Sequence, residues 1–360
     1  MHLEDILAQC LSLPGVSLTH DDHHATLQLV TEGGHGTIDF HVLWPGFTLA
    51  FIRVAAPRWP APKLPKTSAG DRPLLVNLCL AGRCELCLDD GRYVYVSAGD
   101  CSLSERYAAG AYVYPRKSYE GVEFFIEATQ LERERPWLRA DFGLDIPALV
   151  AHYGAAANTS ICTMNADTTQ ALRTLWQQQN APDPAAQRRL SLSLFAALAA
   201  AQTQDSTPRT YYTASQVAIA KEACAIVTAD LRQSHPAHTL AARFGISESS
   251  LKNYFRGVYG QSLAAFVRES RLTRAAELLQ TTKAPVSAIA EASLPPFSSA
   301  AMASRRWNFA VWPISSRISE ARPSPAPTTH PRRAQERTRP SRRSQAPRGW
   351  CVSPAHRGRG

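Results

Sequence analysis

The sequence predicts an α+β chain of several domains: a small antiparallel β-barrel or jelly roll, then packing helices, then an all-helical C-terminal domain. Three observations predict it. Residues 36–128 consist of short runs rich in Val, Ile, Tyr and Phe, punctuated by Gly, Pro and Asp. Residues 144–202 change to helical spacing with strong helix formers, and residues 217–292 keep a three- and four-residue apolar period.

The clearest β unit is Cys84–Leu88, Asp89-Asp90-Gly91-Arg92, Tyr93–Ser97. Asp-Gly between two strand-like runs marks a hairpin, because glycine accepts the positive φ that the turn needs. Ala98-Gly99-Asp100 is a second turn. Helices are expected over Leu144–Tyr153, Asp167–Gln179 and Pro184–Gln204. Ala181-Pro182-Asp183-Pro184 breaks the chain between the last two, with Pro184 placed to begin a helix. Such helices either cover the barrel or pair with a second copy. Gln202–Thr213 reads as a polar linker. Beyond it, Val217, Ala220, Ala223, Val227 and Leu231 share one helix face.

At 360 residues the chain is long enough for two domains or more. Its net charge of +9 is concentrated at one end. From Ser293 onward there are thirteen arginines, no lysine, no aspartate and two glutamates, leaving residues 1–292 at a net −2. Global charge is therefore a poor argument for a nucleic-acid partner. The acidic start MHLEDILAQC lacks the features of a secretory signal. The apolar run Leu190–Ala201 is shorter than the ~20 residues that a bilayer crossing needs. These features point to the cytoplasm, where the eight cysteines stay reduced.

Function concentrates between Thr239 and Gly260. Thr239 is placed to cap a short helix that buries Leu240, Ala241 and Phe244. Gly245 gives a tight bend, Ile246 plugs the corner and Ser247 caps the next helix, which buries Leu251 and Phe255. Ser249, Ser250, Lys252, Asn253 and Arg256 then face outward. A helix of this width fits the DNA major groove, where base edges carry a distinct donor and acceptor pattern. We expect Ser249, Lys252 and Asn253 to face bases and Arg256 to face phosphate. For an isolated helix pair, a merely solvated amphipathic face is the simpler interpretation.

The surrounding residues decide against that interpretation. Leu240-Ala241-Ala242-Arg243-Phe244-Gly245-Ile246-Ser247, then Leu251, Phe255 and Gly260-Gln261-Ser262, strongly resemble the DNA-binding domain of the AraC/XylS family of regulators. Arg271-Leu272, Ala275 and Leu278-Leu279 match its long linker helix, and Pro285-Val286 with Ile289-Ala290-Glu291-Ala292 the start of a second helix-turn-helix. The resemblance implies two helix-turn-helix units, each addressing one major groove of double-stranded DNA. Nine basic against six acidic residues over 217–292 fit phosphate contact. Leu80–Gly82, the Asp-Gly hairpin, Ala98-Gly99-Asp100 and Tyr119-Glu120-Gly121 resemble, less specifically, the cupin-like sensing domain of such regulators. The expected organisation is a cupin-like effector-sensing domain over 1–130, a helical packing or dimerisation region over 131–208, the AraC-type DNA-binding domain over 209–292, and a disordered basic tail over 293–360.

The family pattern continues past this point with a glycine and an aromatic, but here Ser293-Leu294-Pro295-Pro296 follows. Two prolines force an extended path. The tail is either an Arg/Pro-rich arm that contacts phosphates or the product of a reading-frame change near residue 293. The abrupt change and the absence of lysine favour the second. A chain of that kind senses its effector but binds DNA poorly.

Cys79, Cys84, Cys87 and Cys101 cluster in the β region. Cys84 and Cys87 have C-x-x-C spacing, which zinc and redox sites use, yet residues three apart on a strand face opposite ways. Ordinary packing is expected of them. His20, His23, His24, His35 and His41 precede most of the expected strands and lack the His-x-His pattern of metal-dependent cupin enzymes, so a cupin-type metalloenzyme is the least supported reading. No cofactor is expected. Glu132, Glu134 and Asp141 read as solvated surface. Trp44, Tyr93, Tyr95, Tyr112 and Tyr114 either line a barrel cavity or pack in the core.

Overall fold

The computed structural model describes residues 13–21, 23–59, 73–88, 90–105, 112–153, 159–180, 182–201, 210–285 and 288–289. They all belong to one compact unit, Met1–Ser298. The expectations for the 293–360 tail and for most of the second helix-turn-helix lie outside the described residues.

Among the described residues, eleven strands form one half-barrel. They are β1 (Val16–His20), β2 (His24–Thr31), β3 (Gly34–Trp44), β4 (Phe47–Ala55), β5 (Arg58–Trp59), β6 (Leu74–Cys87), β7 (Tyr93–Ser97), β8 (Asp100–Ser104), β9 (Tyr112–Val113), β10 (Tyr119–Ile126) and β11 (Ser160–Thr163). The main path is β1-β2-β3-β4-β10-β6-β8-β11, antiparallel throughout, with β7 and β9 on the far half of β6. Pairing Cys87 with Tyr93 closes the expected Asp-Gly hairpin, and Gly91 takes φ +79° there.

The sheet starts about twenty residues earlier than the sequence suggests. His24, Thr26 and Gln28 alternate with buried Ala25, Leu27 and Leu29, and this polar outer row weakens the β signal. The histidines therefore sit on or beside strands: His20 ends β1, His24 opens β2, and His35 and His41 lie in β3. Strand β11, in a stretch read as helical, adds to the sheet edge through Cys162 opposite Cys101.

Alternation along the strands makes two cores. Phe47, Leu49, Phe51, Val76, Leu78, Val122 and Phe124 face a helical layer. That layer comprises α1 (Ala128–Glu134), α2 (Trp137–Phe142), α3 (Ile146–Tyr153), α4 (Ala166–Trp176) and α5 (Pro184–Ala200). Asn165 and Asp183 cap α4 and α5 through their side chains, and Pro184 opens α5. Helices α1 and α2 escape the sequence reading because each is under eight residues and buries one leucine, too little for a visible period. Glu132, Glu134 and Asp141 on them are exposed, as expected. Ala25, Leu27, Leu29, Phe40, Ile52, Cys84, Val96, Tyr114 and Tyr119 form the second core on the inner face of the half-barrel.

The remaining helices are α6 (Ala214–Ala229), α7 (Ala237–Arg243), α8 (Glu248–Tyr259) and α9 (Leu263–Thr281). A capping box at Thr213 and Gln216 starts α6, which buries Val217, Ala220, Ala223 and Val227. Leu231 lies past its end. No helix among the described residues is long and apolar enough to cross a membrane.

Candidate nucleic-acid interface

Helices α7 and α8 form the short pair that the sequence marks out, with one correction at its start. The first helix opens at Ala237 behind Pro236, so Thr239 sits in the first turn rather than at the cap. Pro236 precedes the helix in an extended conformation (φ −59°, ψ 138°) without a side-chain cap, and its carbonyl accepts the Thr239 amide at 3.1 Å. Leu240 and Ala241 are buried, while Phe244 and Ile246 are half-buried against the same core. Gly245 makes the bend at φ +65°, a conformation that a Cβ disfavours.

Ser247 caps α8 by accepting the Ser250 amide at 3.1 Å. The helix buries Leu251, Phe255, Val258 and Tyr259, and Phe255 stacks on Tyr259 and edges onto Phe266 of α9. Ser249, Lys252, Asn253 and Arg256 are exposed on the opposite side. Lys252 pairs with Glu248 one turn back, and this holds the Glu248 carboxyl below its ordinary range. Ser250 is half-buried, its hydroxyl 2.8 Å from that of Ser247.

The flank of α8 that sequence reasoning missed is docked on the β6–β7 hairpin. The outer side of that hairpin carries Arg83, Glu85, Tyr93 and Tyr95. Arg83 donates to the Val258 carbonyl at 3.0 Å and to the Gly257 carbonyl, with its guanidinium over the Tyr95 ring. Glu85 is buried and accepts the Tyr95 hydroxyl at 2.8 Å and Lys221 Nζ of α6 at 2.7 Å. Tyr93 and Tyr212 exchange backbone hydrogen bonds, which ties the segment before α6 to β7. Tyr95 consequently belongs to the helical core. Between hairpin and helix lies a cleft of about 760 Å³, lined among others by Arg83, Tyr95, Tyr212, Asn253, Tyr254 and Arg256.

One sequence signal for this contact is Gly257. A glycine inside a helix is costly and suggests close backbone approach. Here a Cβ would overlap the Tyr212 ring.

The other candidates disperse. Trp44 stacks on Phe47 in the helix-facing core, and Tyr93 and Tyr95 point at the helical domain, so these three do not line the barrel interior. Tyr114 lies in the inner core, with Tyr112 packed against it. Cys84 is buried and Cys87 half-buried on β6, and burial raises the Cys84 thiol well above its ordinary range. Burial likewise pushes Cys79 up to about 12. Thiols held protonated in this way are poor nucleophiles and metal ligands. No group of three or more His, Cys, Asp or Glu suited to a metal ion occurs among the described residues.

A family described as "Helix-turn-helix domain" matches residues 240–300. Among solved structures, the AraC-like transcriptional activator CuxR is 14% identical over 75% of this chain and 89% of its own, at a TM-score of 0.31. ToxT from Vibrio cholerae is 10% identical over 69% and 89%, at 0.25. A Cupin 2 conserved barrel domain protein from Salinispora arenicola CNS-205 is 17% identical over 34% and 90%, at 0.22. No curated protein matches. The α7–α8 geometry agrees with this match: the described part of residues 240–300 holds a helix-turn-helix pair.

Proposed function

We propose that this protein is a sequence-specific DNA-binding transcription regulator that responds to a small-molecule effector held in the half-barrel. The observation that carries the DNA part is the exposed row Ser249, Lys252, Asn253 and Arg256 on a capped helix whose other side is fixed by Leu251 and Phe255. Ser249, Lys252 and Asn253 offer hydroxyl, ammonium and amide groups to base edges, and Arg256 contacts phosphate. Ser250 acts through its hydroxyl contact with the capping Ser247.

The effector part rests on β6 and β7. Their inner side chains, Cys84, Leu86, Val94 and Val96, belong to the half-barrel core. Their outer neighbours Arg83, Glu85 and Tyr95 hold α6 and α8. A ligand that shifts the inner residues by a fraction of an ångström moves residues one step along the same strand, and with them the reading helix. Such a ligand acts only as far as it binds the two arrangements with different affinity. In this reading the protein works in the cytoplasm, with α4 and α5 available to pair two copies.

Fluorescence anisotropy on DNA from upstream of its own gene, at two salt concentrations, tests the reading. Preference for that DNA over scrambled DNA at both salts is the expected result. Salt-sensitive binding without preference overturns it, because that is the behaviour of non-specific phosphate contact.

A further inference from the structure

Three adjacent inner-face positions break the apolar pattern of the half-barrel. Glu123 on β10 lies opposite Asn77 on β6, and Asn77 lies opposite Ser102 on β8, so the three side chains form one row across three paired strands. Directly opposed residues on one face stand about 5 Å apart at Cβ. All three are buried, at 8%, 8% and 6% exposure. Buried polar groups are ordinarily hydrogen-bonded, and each exception calls for an explanation. Among the described residues no hydrogen bond forms to the Glu123 carboxylate or the Ser102 hydroxyl, and neither group is sealed off from water. The Asn77 amide oxygen accepts the Tyr119 hydroxyl at 2.6 Å.

The surroundings narrow the chemistry. The rings of Tyr119 and Tyr114 lie 5.3 Å apart, tilted by 31°, within the same core, and both feel the Glu123 charge, as does Cys84. Phe125 follows Glu123 on the same face and meets Phe40 at 5.7 Å. A carboxylate beside aromatic faces recognises a cation, through charge-assisted hydrogen bonds and through the ring quadrupoles. The neighbouring amide and hydroxyl suit a second polar group on the same small molecule.

We propose that the Glu123–Asn77–Ser102 row is the recognition strip of the half-barrel, and that it binds a small protonated amine carrying an adjacent hydroxyl or carbonyl. The ammonium sits on Glu123 against the tyrosine pair, and the second polar group meets Asn77 and Ser102. This rests on the effector-sensing reading given above and names the ligand class for it.

Calorimetric titration of the full chain at pH 8 with methylammonium, ethanolamine and benzylamine chlorides, and with benzyl alcohol as a neutral control, tests the assignment. At least one amine binds the wild type, and Glu123→Gln weakens it by about tenfold or more, whereas benzyl alcohol does not distinguish the two proteins. Ser102→Ala weakens ethanolamine and leaves methylammonium unchanged, which keeps the test open should Glu123→Gln fail to fold. Absence of any amine binding, or amine binding insensitive to both variants, overturns the proposal. Repeating the DNA titration with the bound amine separates the two claims. Amine binding with unchanged DNA affinity sinks effector control alone, while intact DNA preference without amine binding sinks the amine site alone.

Discussion

Glu85 and Glu123 are both buried carboxylates on neighbouring strands of one sheet, yet they live in opposite circumstances. Glu85 accepts from Tyr95 and pairs with Lys221, joining the sheet to the helical domain. Glu123 faces the half-barrel interior with no described partner, and burial alone pushes its pKa up to about 7. A buried charge without compensation is expensive, so a chain that keeps one in an otherwise apolar wall is expected to use it. The satisfied acid fastens the sheet to the helices beside it. The unsatisfied one awaits a ligand.

The contrast breaks most visibly at Glu123. An acid whose folded pKa exceeds its unfolded value favours folding below the unfolded pKa, and that contribution is lost as pH rises through the folded one. Here the window runs from about 4.5 to about 7. Glu123→Gln should therefore be more stable than wild type at pH 8 by on the order of 3 kcal/mol, from about 1.4 kcal/mol per pKa unit, and close to wild type at pH 4. Urea denaturation at the two pH values checks this, and equal stability at both would place Glu123 with the satisfied acids. His41 runs the other way. Burial first, then the charge of His24, lowers it to about 4, so its contribution is present above about 6.5 and lost as pH falls. The Gln variant should expose that slope, which Glu123 opposes in the wild type.

Lys221→Ala converts Glu85 into a second unpaired acid. The loss should be about 2 kcal/mol, below the range for fully buried pairs because the Lys221 side chain is 40% exposed. Thermal denaturation would show this, and no change would make the pair ornamental. Tyr95→Phe, which removes a single hydroxyl from the same carboxylate, should cost about 1.5 kcal/mol by the same measurement.

The two regions also differ in how far they could be read from sequence. The α7–α8 pair was legible almost residue by residue, because its determinants are local: a glycine bend, a serine cap, and Leu251 and Phe255 four apart. The Asp-Gly hairpin was legible for the same reason. Thr239 misled because a proline three residues upstream had already set the backbone. Strands β1 and β2 were hidden by a polar outer row, and β11 by its four-residue length. The contacts of Arg83 with α8 and of Glu85 with Lys221 join residues more than 130 positions apart, beyond any periodicity. Nor could alternation alone reveal the Glu123–Asn77–Ser102 row, since it depends on the register of three strands from distant parts of the chain.

Asn253 stands at the edge shared by the proposed reading face of α8 and the hairpin cleft, which makes it the most direct probe of the regulator reading. Anisotropy titrations of wild type and Asn253→Ala on the upstream DNA and on a scrambled duplex would give the answer. The account predicts a loss of about 1–3 kcal/mol on the upstream DNA, with binding to the scrambled duplex unchanged. Equal loss on both duplexes, or none on either, would contradict it.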